Sequence, residues 1–199
     1  MCIRDRRYQD LNGDGVINDD DRTFIGNPHA DVIFGLNLRL NYNNWDFSAL
    51  LSGTLGNDLY NFDKTFTDFA TFPNGNRNAR VLDAFNATTN PNGSLPANSF
   101  IIQNAETSPS SFFVESGSFA RLKNLVIGYT FPNQLTDKWG LSSLRLYANA
   151  SNLFTITGYD GIDPEISPNS GANDATTIGV DENTFPLAQI FLFGVNLKI

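Results

Sequence analysis

The chain has 199 residues, 41% hydrophobic and 13% aromatic, and its 13 Lys and Arg against 21 Asp and Glu give a formal net charge of -8, which removes the electrostatic footing for a nucleic-acid partner. A single Cys and a single His exclude an internal disulfide and His-rich metal or triad chemistry. No apolar run approaches the roughly 18 residues of a membrane helix, which leaves short alternating membrane strands open.

Met1 to Arg7, MCIRDRR, carries charge with no apolar stretch behind it, so it reads neither as a secretory signal nor as a lipoprotein leader. It is expected to be a non-native edge of a truncated reading frame, with positions 8–199 as the folded part. Asp10 to Asp21, DLNGDGVINDDD, has the spacing of a calcium loop. Asp10, Asn12 and Asp14 stand at alternate positions, Gly15 allows the tight turn, Val16 offers a carbonyl and Asp21 closes. The twelfth position is Asp where an EF-hand has Glu, and neither flank reads as an amphipathic helix. Two readings stay open here, a bound Ca²⁺ and an Asx- and Gly-rich turn without metal.

From Val32 a two-residue period takes over. Val32, Phe34, Leu36, Leu38 and Leu40 share one face, and Ile33, Gly35, Asn37, Arg39 and Asn41 the other. Tyr42 to Asn44 breaks the run, and Trp45, Phe47, Ala49, Leu51 and Leu55 then alternate with Asp46, Ser48, Ser52 and Thr54. This predicts a hairpin with a tight Asn-Asn turn, its Tyr42 and Trp45 fitting an aromatic girdle at a membrane boundary. Gly56 to Gly117 has no sustained period. Tyr60, Phe62, Phe66, Phe69 and Phe72 are scattered through its first part, where packing of the segment on itself is the favoured reading over stacking on sugar rings.

Ser111 to Thr155 predicts a second hairpin across a turn at Pro132 to Leu141. Leu125, Ile127, Tyr129 and Phe131 alternate, and Leu144, Leu146, Ala148 and Ala150 oppose Arg145, Tyr147, Asn149 and Ser151. Two breaks stand out: Arg121 and Lys123 fall on the face of Leu125, and Asn152 on the face of Leu144. Placement near headgroups or β-bulges would accommodate them. Gly158 to Pro186 is a polar loop whose Asp160, Asp163 and Glu165 are the only carboxylate set an enzyme reading could use, and a loop explains them equally well. Leu187 to Ile199 predicts a last strand, with Phe191, Phe193, Val195, Leu197 and Ile199 on one face and Asn196 and Lys198 on the other.

Short and long connections therefore alternate between five strands, as in an up-and-down membrane barrel with brief periplasmic turns and extended external loops. Five strands cannot close such a barrel, and an open edge is not viable in lipid. The expected fold is all-β, the C-terminal strands of a larger transmembrane antiparallel barrel.

The phrases GSFARLKNLVIGYTFP, LSSLRLYANASNLFTIT and GIDPEI resemble the C-terminal barrel strands of the SusC/RagA family of TonB-dependent outer-membrane transporters. The resemblance covers nearly all of positions 8–199. It implies import of oligosaccharides or peptides across the outer membrane of a Gram-negative cell, no enzymatic activity, a SusD-like surface lipoprotein as partner, the TonB complex as energy source, and a plug domain lying outside this chain. It favours Ca²⁺ as a cofactor held by Asp10, Asn12, Asp14, Val16 and Asp21, since the family often carries a D-x-N-x-D-G segment here. The closing strand resembles the insertion signal of outer-membrane barrels, with Ile199 where an aromatic is usual. Asn37, Arg39, Asp46, Arg145, Tyr147 and Asn149 would then face the lumen and line the substrate path. The rival class is a secreted calcium-binding β-sandwich, an adhesin or glycan-binding module.

Overall fold

A computed structural model describes residues 8–69, 75–97, 108–166, 178–182 and 184–199. In chain order the strands are β1 (Val32–Tyr42), β2 (Trp45–Leu55), β3 (Asp58–Asn61), β4 (Val114–Ser116), β5 (Phe119–Thr130), β6 (Ser143–Thr157), β7 (Val180–Asp181) and β8 (Ile190–Lys198). The five long strands form one sheet in the order β1-β2-β5-β6-β8, with every pair antiparallel. Neighbours in the sheet follow each other along the chain, which is the up-and-down arrangement that the alternating connections predict. The chain divides into two compact units.

In the sheet unit, Tyr42 faces Trp45 across a two-residue turn in which Asn43 adopts φ 51. Asn tolerates that left-handed conformation better than other residues with a side chain, so its place at the tip follows from sterics. The Pro132 to Leu141 connection contains a short helix, α1 (Asn133–Thr136), followed by a 3-10 turn over Asp137–Trp139. Gly140 closes it at φ 68. β8 starts at Ile190, three residues later than its apolar period suggests.

The faces are those of the sequence pattern. Leu40, Leu38 and Leu36 of β1 lie opposite Phe47, Ala49 and Leu51 of β2, and Ile127 of β5 continues the row from Phe47 through Ala148 to Phe193. This apolar face is bare: Leu40 is 55% exposed, Phe193 81% and Leu197 61%. A sandwich would spend such a face on a second sheet. A bilayer would solvate it as it stands. The 11 residues of β2, rising about 3.4 Å each at the roughly 40° tilt of barrel strands, cover a height of about 26 Å, matching the apolar band of about 25 Å in outer-membrane barrels.

The two register breaks resolve as bulges. Leu50 pairs with Asn124 and Leu51 with Leu122, so Lys123 is an extra residue in β5. Leu122 pairs with Phe154 and Asn124 with Ser151, so Asn152 and Leu153 of β6 together face the single Lys123, one residue in excess, with Asn152 at φ 53. A one-residue insertion exchanges the faces of everything beyond it. Arg121, which strict alternation would point into lipid, therefore pairs with Ser52 and Thr155 on the polar side.

The second unit lacks a long strand among its described residues. It holds a small sheet in the order β4-β3-β7, a helical turn at Lys64–Thr67 and a 3-10 segment at Ala79–Asp83. Its core is aromatic, centred on Phe113, which is fully buried. Tyr60, Phe69 and Phe112 stand 5.4, 6.2 and 5.3 Å from it, and Phe62 packs on Phe66 at 5.3 Å. The scattered aromatics thus pack the segment on itself; Phe72 lies outside the described residues.

Candidate functional site

The polar face of the five-stranded sheet carries two built clusters. The first lies near the turn end. Arg145 on β6 reaches over β5 to Asp46 on β2, its Nε and Nη2 donating to the two carboxylate oxygens at 2.9 and 2.5 Å. Such a planar two-point pairing suits guanidinium and carboxylate geometry. Gly128 is what makes the crossing possible, since a Cβ there would run into the Arg145 guanidinium and the Asp46 carboxylate. Gly194 on β8 leaves room in the same way for the ring of Tyr147, over whose face Arg145 stacks at 5.0 Å. The row Asp46, Gly128, Tyr147, Gly194 is in register across four strands. One step further, the Asn124 amide donates to Asn149 Oδ1 at 3.0 Å.

Gly128→Ala in the full-length protein is therefore expected to lower stability by about 1–3 kcal/mol through overpacking. Gly158→Ala, where a Cβ meets nothing within 4 Å, should be nearly silent. The temperature at which the folded, heat-modifiable band disappears on gels checks both.

The second cluster sits beyond the bulge. Arg121 is 3% exposed, and it donates to Thr155 Oγ1 at 2.8 Å, Asp163 Oδ1 at 2.5 Å and Glu165 Oε2 at 3.0 Å. Lys123 pairs with the other oxygen of Glu165. Asp163 also accepts the backbone N–H groups of Glu165 and Leu187. Burial pushes its carboxyl up, but the Arg121 guanidinium and the two N–H donors outweigh burial and hold it below the usual Asp range. This network was not assembled from the sequence. Its signals were present as separate oddities, two cations on an apolar face and a D-x-E pair in a loop.

Of the six residues expected along the polar path, Asp46, Arg145 and Tyr147 meet in one cluster and Asn149 borders it. Asn37 and Arg39 share the face but stay exposed on β1. On the opposite, apolar face, Trp45 and Tyr129 stand 4.8 Å apart, Tyr129 and Phe131 5.1 Å, and Phe131 and Trp139 6.5 Å. That aromatic row at the turn end fits the girdle expected at a barrel boundary.

In the other unit the Asp10 to Asp21 loop is closed by its own backbone. Asp10 accepts the N–H groups of Gly13 and Gly15, Asp21 those of Leu11 and Asn18, and Asp14 that of Val16. Gly13 and Gly15 take φ 78 and 81, which only glycine adopts freely. Among the described residues no three His, Cys, Asp or Glu side chains converge as a metal group.

No protein-family model matches the chain. Over 193 residues it is 34% identical to TonB-dependent receptor P3 of Formosa agariphila, which covers 96% of this chain and 18% of that protein. Over 192 residues it is 30% identical to TonB-dependent receptor SusC of Bacteroides thetaiotaomicron, covering 96% and 17%. The chain belongs to the SusC/RagA family of TonB-dependent receptors. Among solved structures, the RagAB peptide transporter superposes with a TM-score of 0.71 at 24% identity, over 92% of this chain and 19% of that one. The RagAB peptide importer in its open-open state gives 0.64 at 25% identity, over 86% and 17%. The chain spans roughly a fifth of the length of the curated relatives it matches. The five-stranded sheet is thus a sector of a SusC/RagA barrel wall, apolar face toward lipid, and the two clusters lie on its inner surface. These relatives are receptors and transporters, not enzymes.

Proposed function

We propose that the chain forms part of the wall of an outer-membrane importer of oligosaccharides or peptides, energised by the TonB complex and working with a SusD-like surface lipoprotein in a Gram-negative cell. The observation that carries this reading is the two-sided sheet: a bare apolar face with an aromatic girdle, backed by a face of paired charges that only an aqueous interior can hydrate. The names SusC and RagAB peptide transporter among its relatives support nutrient import. In this reading Asn37 and Arg39 are the polar-path residues available to a passing solute. Asp46, Arg145, Tyr147 and Asn149 shape the wall. The test is uptake of a labelled oligosaccharide and a labelled peptide by cells carrying the full-length protein, with its lipoprotein partner sought by co-purification. Uptake that stops when the TonB complex is inactivated is the expected result; recovery of the full-length protein outside the membrane fraction would overturn it.

A second reading concerns Ca²⁺. The alternation of Asp10, Asn12 and Asp14, the carbonyl of Val16 and the closing Asp21 support an oxygen-lined loop, while the hydrogen bonds closing it supply stability without an ion. If Ca²⁺ binds, a chelator should raise protease cleavage within 8–27, and Asp14→Ala should reproduce that rise and add nothing in chelator. Equal cleavage with and without Ca²⁺ would leave the Asx-turn reading.

A further inference from the structure

The connection from Pro132 to Leu141 is built more firmly than a chain reversal needs. The N–H groups of Leu135 and Thr136 both donate to the Pro132 carbonyl, at 2.9 and 3.3 Å, and the Leu141 N–H donates to the Thr136 carbonyl at 3.0 Å. Thr136 is fully buried, and its Oγ1 donates to the Asn133 carbonyl at 3.2 Å. Gly140 ends the turn in the left-handed conformation that suits a glycine at a helix C-terminus. Folded this way, the segment hides Thr136 and leaves Leu135 and Trp139 42% and 59% exposed. Residues four apart on a helical turn lie on one side of it, so these two make one apolar surface. Gln134, Asp137 and Lys138 are exposed as well and give the turn polar flanks.

Phe131 decides which way that surface faces. It continues the alternation of Ile127 and Tyr129, whose partners Phe47 and Trp45 stand on the apolar face of the sheet. Trp139 packs edge-on against Phe131, so the turn leans toward the lipid side, beyond Thr130, the last residue of β5 paired with β6. Water solvates two such side chains poorly. A headgroup layer suits them, since it takes both the apolar body and the polar N–H of a Trp. The long stem of Lys138 lets its ammonium reach lipid phosphates from the same turn.

We propose that the 132–141 turn is an interfacial docking element: Leu135 and Trp139 insert among phospholipid headgroups at the turn end of the barrel, and the segment lies in the plane of the membrane. The occupant is a phospholipid surface because the patch is continuous, through Phe131 and Tyr129, with the apolar face of the strands. The inference rests on the reading that this face meets lipid, and it adds a membrane contact outside the strands.

The test uses the full-length protein, free of other accessible thiols, in nanodiscs of phosphatidylethanolamine and phosphatidylglycerol. Single cysteines at Leu135, Asp137 and Phe193 carry an NBD fluorophore, and each variant is first checked for its heat-modifiable band. Quenching by lipids with a nitroxide placed shallow or deep is compared with quenching by a water-soluble nitroxide. The shallow lipid nitroxide should quench the Leu135 site about threefold more than the Asp137 site. Trp139→Ser should remove most of that difference and Trp139→Phe should keep it. Phe193, opposite Ala148 in the middle of β8, reports on the sheet itself and should be quenched by the deep nitroxide. Deep quenching at Phe193 with equal shallow quenching at Leu135 and Asp137 overturns the proposal and leaves the barrel wall standing. No lipid quenching at Phe193 would contradict both. A Leu135 site shielded from lipid and aqueous quenchers alike would mean that a protein covers the patch, which also overturns the proposal.

Discussion

Deleting Leu187 to Ile199 from the full-length protein is expected to abolish its heat-modifiable, outer-membrane form. β8 pairs with β6 from Ser143 opposite Lys198 to Ser151 opposite Ile190. Without it, one edge of β6 would present unpaired N–H and C=O groups to hydrocarbon over that length, each costing several kcal/mol. The deletion also removes Phe191, Phe193, Val195 and Leu197 from the lipid face. These losses exceed the whole stability of an ordinary domain, about 5–15 kcal/mol, so the outcome should be absence of the folded band, not a shift in its melting. Normal assembly of the deleted protein would mean that the sheet does not stand in a bilayer.

Arg121→Met should have the next largest effect, about 3–5 kcal/mol of lost stability, because it leaves a buried carboxylate without its cation. Asp163 is 4% exposed, so solvent cannot take over the role of the guanidinium. Since the folded-state pKa of Asp163 is depressed, the contribution of this pair is fully present above the ordinary Asp value of about 3.9 and is lost as the pH falls through the lower folded value. The difference between Arg121→Met and the unsubstituted protein should accordingly be large near neutrality and shrink in acid. Thermal conversion of the heat-modifiable band across that pH range measures it, and a difference independent of pH would detach Asp163 from the effect.

The strand faces were legible because the side-chain period of a strand is two and one face is uniformly apolar. Trp45, Phe47 and Ala49, or Leu144, Leu146 and Ala148, suffice to orient their strands. The bulges were not legible. Arg121, Lys123 and Asn152 signalled that something breaks the period, but a charge at a strand end snorkelling to the headgroups and a charge turned inward by an inserted residue give the same pattern. Only pairing with Ser52 and Thr155 separates them. The Asp46–Arg145 pair joins residues 99 apart, and nothing local in the sequence marks that distance as a contact. Gly128 and Gly194 are the trace it leaves, since strand glycines mark places where another group approaches closely. The aromatic core around Phe113 was legible in kind but not in partners, because without a period aromatics name a core and not its geometry.

If the five strands cross a membrane, the Tyr42 to Asn44 and Pro132 to Leu141 turns stand on one side of it and the connection between β2 and β5 on the other. Single cysteines at Asn43, Asn133 and Asn92, in a full-length protein free of other accessible thiols, test it with an impermeant maleimide applied to intact cells. Asn92 should label, with Asn43 and Asn133 unlabelled until the outer membrane is permeabilised. Labelling of Asn43 in intact cells as fast as Asn92 would contradict it.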